Sequence, residues 1–329
     1  MRIGVNPEKY KNLDNKLIYH RIIMVCYIPN IYEDYYEDSL SVLEHSLKSL
    51  IKTINFDTTS ITFINNNCCD EVNSFLENYI SYFDKYVRYQ ENKGKVYSVL
   101  SEARASYESL ITITDCDVLF LEGWEKAVVK TFQNFRKAGV VCPLPMPNLA
   151  FNHNYSFFYD NLFKYKYNKK INDEELETYL KGMGNDSLLN RNNKKFNWRQ
   201  KHYYLQDNSG NVAIAGAGHF VSTYRKEIFN ISNDFPSKKF VNGFEDLFID
   251  KPSDMLGLYR LSLNKCYVYH MGNKIDDFIN SIEFKSDFEK INQSDFSFIN
   301  VQQKQSRVSK IYIIKKFLFK TLKKVNYIK

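Results

Sequence analysis

The sequence predicts an α/β protein. Its central sheet is mostly parallel, with helices on both faces, and an amphipathic helical tail follows. Three observations carry this reading. Short β-branched runs alternate with segments of helical spacing as far as Cys142. The intervening helices run to about four turns, the length of the crossovers that parallel strands need. The composition suits one large core: 44% of 329 residues are hydrophobic, and only 12 are Gly and 7 Pro.

The elements follow in order. YHRIIMVCYIP (19–29) is apolar and β-branched, hence a strand. From Tyr36 to Ile54, Leu40, Leu43, Leu47, Leu50 and Ile51 share one helical face. SITFIN (60–65) is a second strand, stopped by an asparagine turn, and Asp70 caps a helix reaching about Ser81. A short strand at 86–89 and a helix at 94–108 lead into the strand at 110–114. A helix at 123–136 and a strand at 139–142 complete the alternation. Residues 150–210 then read as a polar, aromatic insertion over the face of the sheet, with a helix near 173–180. Order returns at 212–229, 243–250 and 264–272, and the chain ends in a weakly specified helical tail from 276.

The net charge of +7 fits anionic partners such as nucleotides, phosphates and acidic lipid. No nucleic-acid module is evident, so no nucleic-acid partner is expected. The six cysteines show no metal-ligand spacing and are expected as reduced thiols in a cytosolic protein. The N-terminus has no apolar leader, and no run is long enough to span a bilayer.

The informative stretch is ITITDCDVLF (111–120). A buried strand delivers Asp115 and Asp117 to its C-terminal end, where α/β sheets bind ligands. Residues two apart on a strand point the same way, so both carboxylates face one spot. There they would repel and lose hydration. A divalent cation carrying phosphates relieves both costs. The plainer alternative is a strand end entering a solvated turn. Neither GxGxxG nor GxxxxGK[ST] occurs, so a dinucleotide fingerprint and a P-loop are both unsupported.

ITITDCDVLF followed by GWEKAV resembles the DxD segment of family-2-type inverting glycosyltransferases with the GT-A fold. Other segments resemble that family in the same order. CYIPNIYEDYYEDSLSVLEHSLKSL is similar to its opening strand, loop and helix, and ENKGKVYSVLSEAR to the segment before the DxD strand. GAGHFVSTYRKEIF is similar to its Gly-Ala strand, GFEDLFID to its Glu-Asp motif, and CYVYHMG to a strand bearing a metal-binding histidine. The resemblance spans residues 20–275, with 150–210 as a variable acceptor-side insertion. It implies a GT-A domain over 1–275 and a separate tail over 276–329.

The resemblance also implies roles. Asp117 would ligate Mn²⁺ or Mg²⁺, and Asp115 the metal or the donor's ribose. His270 would be a third ligand, Asp246 the base and Glu245 a hydrogen-bond partner for acceptor hydroxyls. Asn65 and Asp70 fall where the family places an acid against the nucleotide base, although the turn here reads NNNCCD. Lys95 and Arg104 would touch phosphate or base. Gly216 either admits a ligand or packs tightly. Trp124 and Trp198 would stack on sugar or fill the core. The donor would be a nucleoside-diphosphate sugar, a UDP-sugar first of all. The acceptor would be a glycan or lipid-linked saccharide of bacterial surface polysaccharide.

The tail VSKIYIIKKFLFKTLKKVNYIK places Ile311, Ile314, Phe317, Leu318, Leu322 and Val325 on one face beside lysines. That pattern suits an anionic membrane surface, hence a cytoplasmic enzyme peripheral to the inner face of the membrane. Packing against the body is the alternative. Two rival functions stand beside transfer. A nucleotidyltransferase also pairs aspartates, but its Gly-rich loop is replaced here by PNIYEDYYED. A silent glycan-binding scaffold would have no need of the DxD, Glu-Asp and strand-end histidine together.

Overall fold

The computed structural model describes residues 3–7, 18–184, 197–232, 234–236, 244–284, 288–299 and 308–328. Four strands open the chain: β1 (His20–Cys26), β2 (Thr59–Asn65), β3 (Lys85–Arg88) and β4 (Leu110–Asp115). They are joined by α1 (Ser39–Thr53), α2 (Asp70–Leu76) and α3 (Lys95–Ala105). All four run parallel, in the order β3-β2-β1-β4. Every residue of β2 is buried, which explains its unbroken apolar and threonine run. β3 lies at the sheet edge, where Lys85 and Arg88 face solvent and blunt it. Val42, Leu43, Leu47 and Leu50 turn α1 onto the core. Each such side chain contributes roughly 1.5–3 kcal/mol of burial.

After β4 come β5 (Val118–Phe120), α4 (Trp124–Asn134) and β6 (Ala138–Cys142). The expected insertion contains α5 (Tyr155–Asp160), β7 (Lys166–Asn168), α6 (Asp173–Met183) and β8 (His202–Gln206). Then follow β9 (Val212–Ala215), β10 (Val221–Arg225), α7 (Lys251–Met255), β11 (Tyr259–Ser262) and β12 (Val268–His270). The chain closes with α8 (Asp277–Asn280) and α9 (Tyr312–Lys324). The sheet continues from β4 as β10-β6-β11-β9-β8-β7. β10, β9 and β7 run against the other seven strands, so the sheet is mostly parallel, as expected.

The insertion and the tail both join the body. The insertion does not simply lie over the sheet: β7 and β8 extend its edge. Their short aromatic runs pack Tyr167 on Tyr203 with ring centroids 4.3 Å apart. The tail packs on the body, the alternative that its sequence left open. Phe319 of α9 sits among Phe151, Tyr155 and Phe158.

One pairing positions the site. β5 begins one residue after Asp117 and pairs antiparallel with β12, setting His270 opposite Val118. Met271 N donates to the Asp117 carbonyl at 2.8 Å. A short ribbon thus clamps the second aspartate beside the histidine.

Candidate active site

β1, β2 and β4 deliver Cys26, Asn65 and Asp115 to the same edge of the sheet. Beyond that edge Asp117 Oδ2 lies 3.4 Å from His270 Nε2. The other face of the ring is fixed, because Nδ1 lies 3.1 Å from the Gly182 carbonyl. In the neutral ring this bond holds the proton on Nδ1 and turns the Nε2 lone pair toward Asp117. Gly182 permits the approach: a Cβ there would sit 3.1 Å from the His270 carbonyl. Asp117 Oδ1 is buried with no hydrogen-bond partner. Burial pushes this carboxyl up, against the pull of His270 and with a further push from Asp115.

A carboxylate with one oxygen orphaned and the other facing an imidazole lone pair is a donor group suited to a hard divalent cation, with positions left for phosphate. Asp117 and His270 together offer two protein donors. Among the described residues no three His, Cys, Asp or Glu side chains cluster for a metal. The physical reason is Lys95. Its Nζ lies 2.5 Å from Asp115 Oδ1, so Asp115 is paired with an ammonium and not grouped with Asp117 and His270.

Lys95 also reaches Glu245 Oε1 at 3.1 Å. Burial disfavours its charge, but the two carboxylates outweigh that and hold the ammonium well above its usual value. From Glu245 the charges continue to alternate. His219 Nε2 lies 3.6 Å from Glu245 Oε2, and His219 Nδ1 lies 3.4 Å from Asp250 Oδ2. Asp250 Oδ2 in turn lies 2.9 Å from Arg260 Nη1, with both side chains fully buried. A π-helical turn over Asp246–Asp250 makes this possible. Its i→i+5 bonding stacks residues five apart, which sets Glu245 and Asp250 on either side of His219. An α-helical turn would carry Asp250 away.

This chain has a pH signature. Burial lowers His219, but Asp250 and Glu245 outweigh it and raise the imidazole above its ordinary value. Its contribution is complete below its unfolded value near pH 6.5 and is lost as the pH climbs through the raised folded value. Burial raises Asp250, but Arg260 and His219 outweigh it and depress the carboxyl. Its contribution is complete above about pH 4 and is lost as the pH falls through the folded value. The stability advantage of wild type over His219→Gln is therefore expected to be largest between about pH 4 and 6.5. It should fade at alkaline pH, as read from Tm against pH. An advantage independent of pH would contradict the coupling.

Asp246 begins the same turn. Its Oδ1 accepts from Asn152 Nδ2 at 2.8 Å. Asn152, Asp250 and Arg260 are participants that the sequence did not single out. Only Asp250 carried a signal, as the last acid of FEDLFID.

The remaining residues separate. Asn65 is consumed by the fold: its amide donates to Asn73 and Tyr86, and its Oδ1 accepts from Cys68 N. Asp70 is exposed at the start of α2 and accepts from Asn73. Gly216, at φ +116°, is a packing glycine, since a Cβ there would lie 2.3 Å from the Met146 carbonyl. Arg104 lies apart from this group. It lies nine residues beyond Lys95, roughly 14 Å along α3, and donates to the Asp234 carbonyl at 2.8 Å. Crossover helices run opposite to their strands, so Arg104 sits toward the far edge of the sheet from the aspartates. Trp124 and Trp198 are both buried in the core, and Trp124 Nε1 donates to Thr53.

The family model described as "Glycosyl transferase family 2" matches residues 35–230. No curated protein matches the chain significantly. Among solved structures, Staphylococcus aureus TarS 1-349 aligns at 13% identity and TM-score 0.46, covering 77% of this chain and 60% of that one. The same TarS segment in complex with UDP-GlcNAc aligns at 12% and 0.47, covering 81% and 62%. The mannosyltransferase PcManGT from Pyrobaculum calidifontis, in complex with GDP-Man and Mn²⁺, aligns at 14% and 0.43, covering 78% and 58%. The chain thus spans at most about three fifths of the length of these proteins. The family match covers more than half of the 329 residues, across the DxD strand, α3 and the β9–β10 segment. The chain belongs to glycosyl transferase family 2.

Proposed function

We propose that this chain is a cation-dependent, inverting glycosyltransferase of the GT-A fold. It moves a sugar from a nucleoside diphosphate, UDP first among the candidates, to a hydroxyl of a glycan or lipid-linked saccharide. The setting would be assembly of bacterial surface polysaccharide at the inner face of the membrane. The observation that carries this reading is the pairing of Asp117, with its orphaned oxygen, and His270 at the strand edge that also presents Asp115, Lys95 and Glu245.

Asp117 and His270 would hold Mn²⁺ or Mg²⁺, which when bound neutralises the diphosphate and stabilises the departing nucleoside diphosphate. Lys95 keeps a fixed positive charge between the donor side and the acceptor side. Glu245 has an oxygen toward each of two cationic groups, so it is held as a hydrogen-bond acceptor. Asp246 has one oxygen steadied by Asn152 and the other to take the acceptor's proton. As that proton leaves, the hydroxyl oxygen bonds to the anomeric carbon. The bond from that carbon to the phosphate oxygen breaks on the opposite face.

The test is a donor screen by thermal shift and hydrolysis with UDP-, GDP- and TDP-sugars, with and without Mn²⁺. One donor is expected to stabilise wild type only with the cation, and Asp117→Ala to abolish that. Failure of every nucleotide sugar under every metal condition overturns the reading. The seating of His270 gives a second test. Gly182→Val pushes the carbonyl off Nδ1, and Mn²⁺ affinity by calorimetry is expected to fall roughly 10- to 100-fold. Unchanged affinity would remove His270 from the metal site.

A further inference from the structure

The last helix has two apolar faces, and only one is used by the fold. Tyr312, Phe319 and Ile328 are buried against the body. Lys315 is buried with them and pairs with Asp160 at 2.9 Å. The opposite face carries Ile313, Ile314, Phe317 and Leu318, with Ile313 77% and Phe317 68% exposed. Most of the stripe that the sequence suggests is exposed, Ile311, Ile314, Phe317, Leu318 and Val325 among it. Leu322 is turned partly inward, and Ile313, outside that stripe, is the most exposed of the set.

Lysines frame the outward face. Lys310 lies one turn before Ile313, and Lys320 and Lys324 lie about one and two turns after Phe317, all exposed. No acidic residue occurs between Val308 and Ile328. The inward face packs on α5. A docked helix with a cationic border and large apolar side chains held outward matches the chemistry of an anionic bilayer surface. A protein partner of that shape would have to supply both an apolar groove and an acidic rim.

We propose that the outward face of α9, centred on Ile313 and Phe317, docks the protein on an anionic lipid surface while its inward face stays packed on α5. The helix lies flat in the interface. It is 13 residues long, and among the described residues no helix is long and apolar enough to cross a membrane. This inference stands apart from the transfer reaction, because docking needs no donor.

The test uses the full chain in flotation with two vesicle types: phosphatidylcholine alone, and equal parts phosphatidylcholine and phosphatidylglycerol. Each outward lysine strengthens binding to an anionic surface roughly fivefold, so the three together predict a partition coefficient about a hundredfold higher on the anionic vesicles. Ile313→Ser with Phe317→Ser should abolish flotation. Both side chains are exposed, so the fold is kept, as circular dichroism would verify. Salt should release the wild type from the vesicles. Equal binding to both vesicle types, or binding unchanged in the double variant, overturns the proposal. So does a dimer in light scattering that the double variant dissolves without any vesicle binding, since the face would then belong to a second copy.

Discussion

Asp117→Asn is expected to make the protein more stable and nearly inactive. The two effects have one cause. Asp117 Oδ1 is buried without a partner, and burial already pushes the carboxyl toward its neutral form. A buried, unsatisfied polar group costs about 1–3 kcal/mol. Asparagine keeps the shape and removes the charge, so thermal stability without metal should rise by roughly 1 kcal/mol. The proposed cation, however, depends on that charge. Lewis-acid stabilisation of a leaving diphosphate contributes several kcal/mol, so turnover should fall on the order of a thousandfold. The stabilisation that donor and Mn²⁺ give the wild type should vanish as well. Thermal shift without ligand, with Mn²⁺, and with Mn²⁺ plus donor reads both signs in one experiment. A variant that loses stability while keeping the ligand-dependent shift would show that Asp117 serves only the fold.

The parts of this site that the sequence made legible are those encoded by local pattern. A β-branched run ending in two aspartates marks β4 and its ligand edge, because side-chain alternation and strand polarity are properties of a few consecutive residues. Lys95 lies at that edge because a crossover helix starts where its strand ends. Arg104 follows nine residues later on the same helix, too far along it to share a site with Lys95. What stayed hidden depends on pairings between distant segments. β5 and β12 are three residues each and some 150 residues apart, so no periodicity announces that they meet. Only their ribbon explains why His270 faces Asp117 while Asp115 goes to Lys95. The π-turn was hidden too, since a helix one residue wider per bond leaves no mark on a five-residue hydrophobic pattern.

Arg260→Met is expected to be the most destabilising single change near the site, at about 3–5 kcal/mol. Arg260 and Asp250 are both fully buried, 2.9 Å apart. Arg260 also donates to the Ala217 carbonyl. Without the guanidinium, Asp250 keeps only His219 at 3.4 Å, on its more exposed side. A carboxylate that has lost its charged partner in a buried site suffers the full desolvation penalty. The double variant Arg260→Met with Asp250→Leu removes both charges and fills the space, and such replacements are often neutral or stabilising. Its urea midpoint should return to within about 1 kcal/mol of wild type. Its function should not return. His219 would lose the group that holds Nδ1 and raises the imidazole, Glu245 would be gripped by Lys95 alone, and the acidic-range stability advantage over His219→Gln would vanish. Recovery of stability without recovery of turnover would show that the buried pair is kept to orient His219 against Glu245. A single Arg260→Met variant within 1 kcal/mol of wild type would show instead that Asp250 is already neutral or otherwise satisfied, and the alternating chain from Arg260 to Asp115 would end at His219.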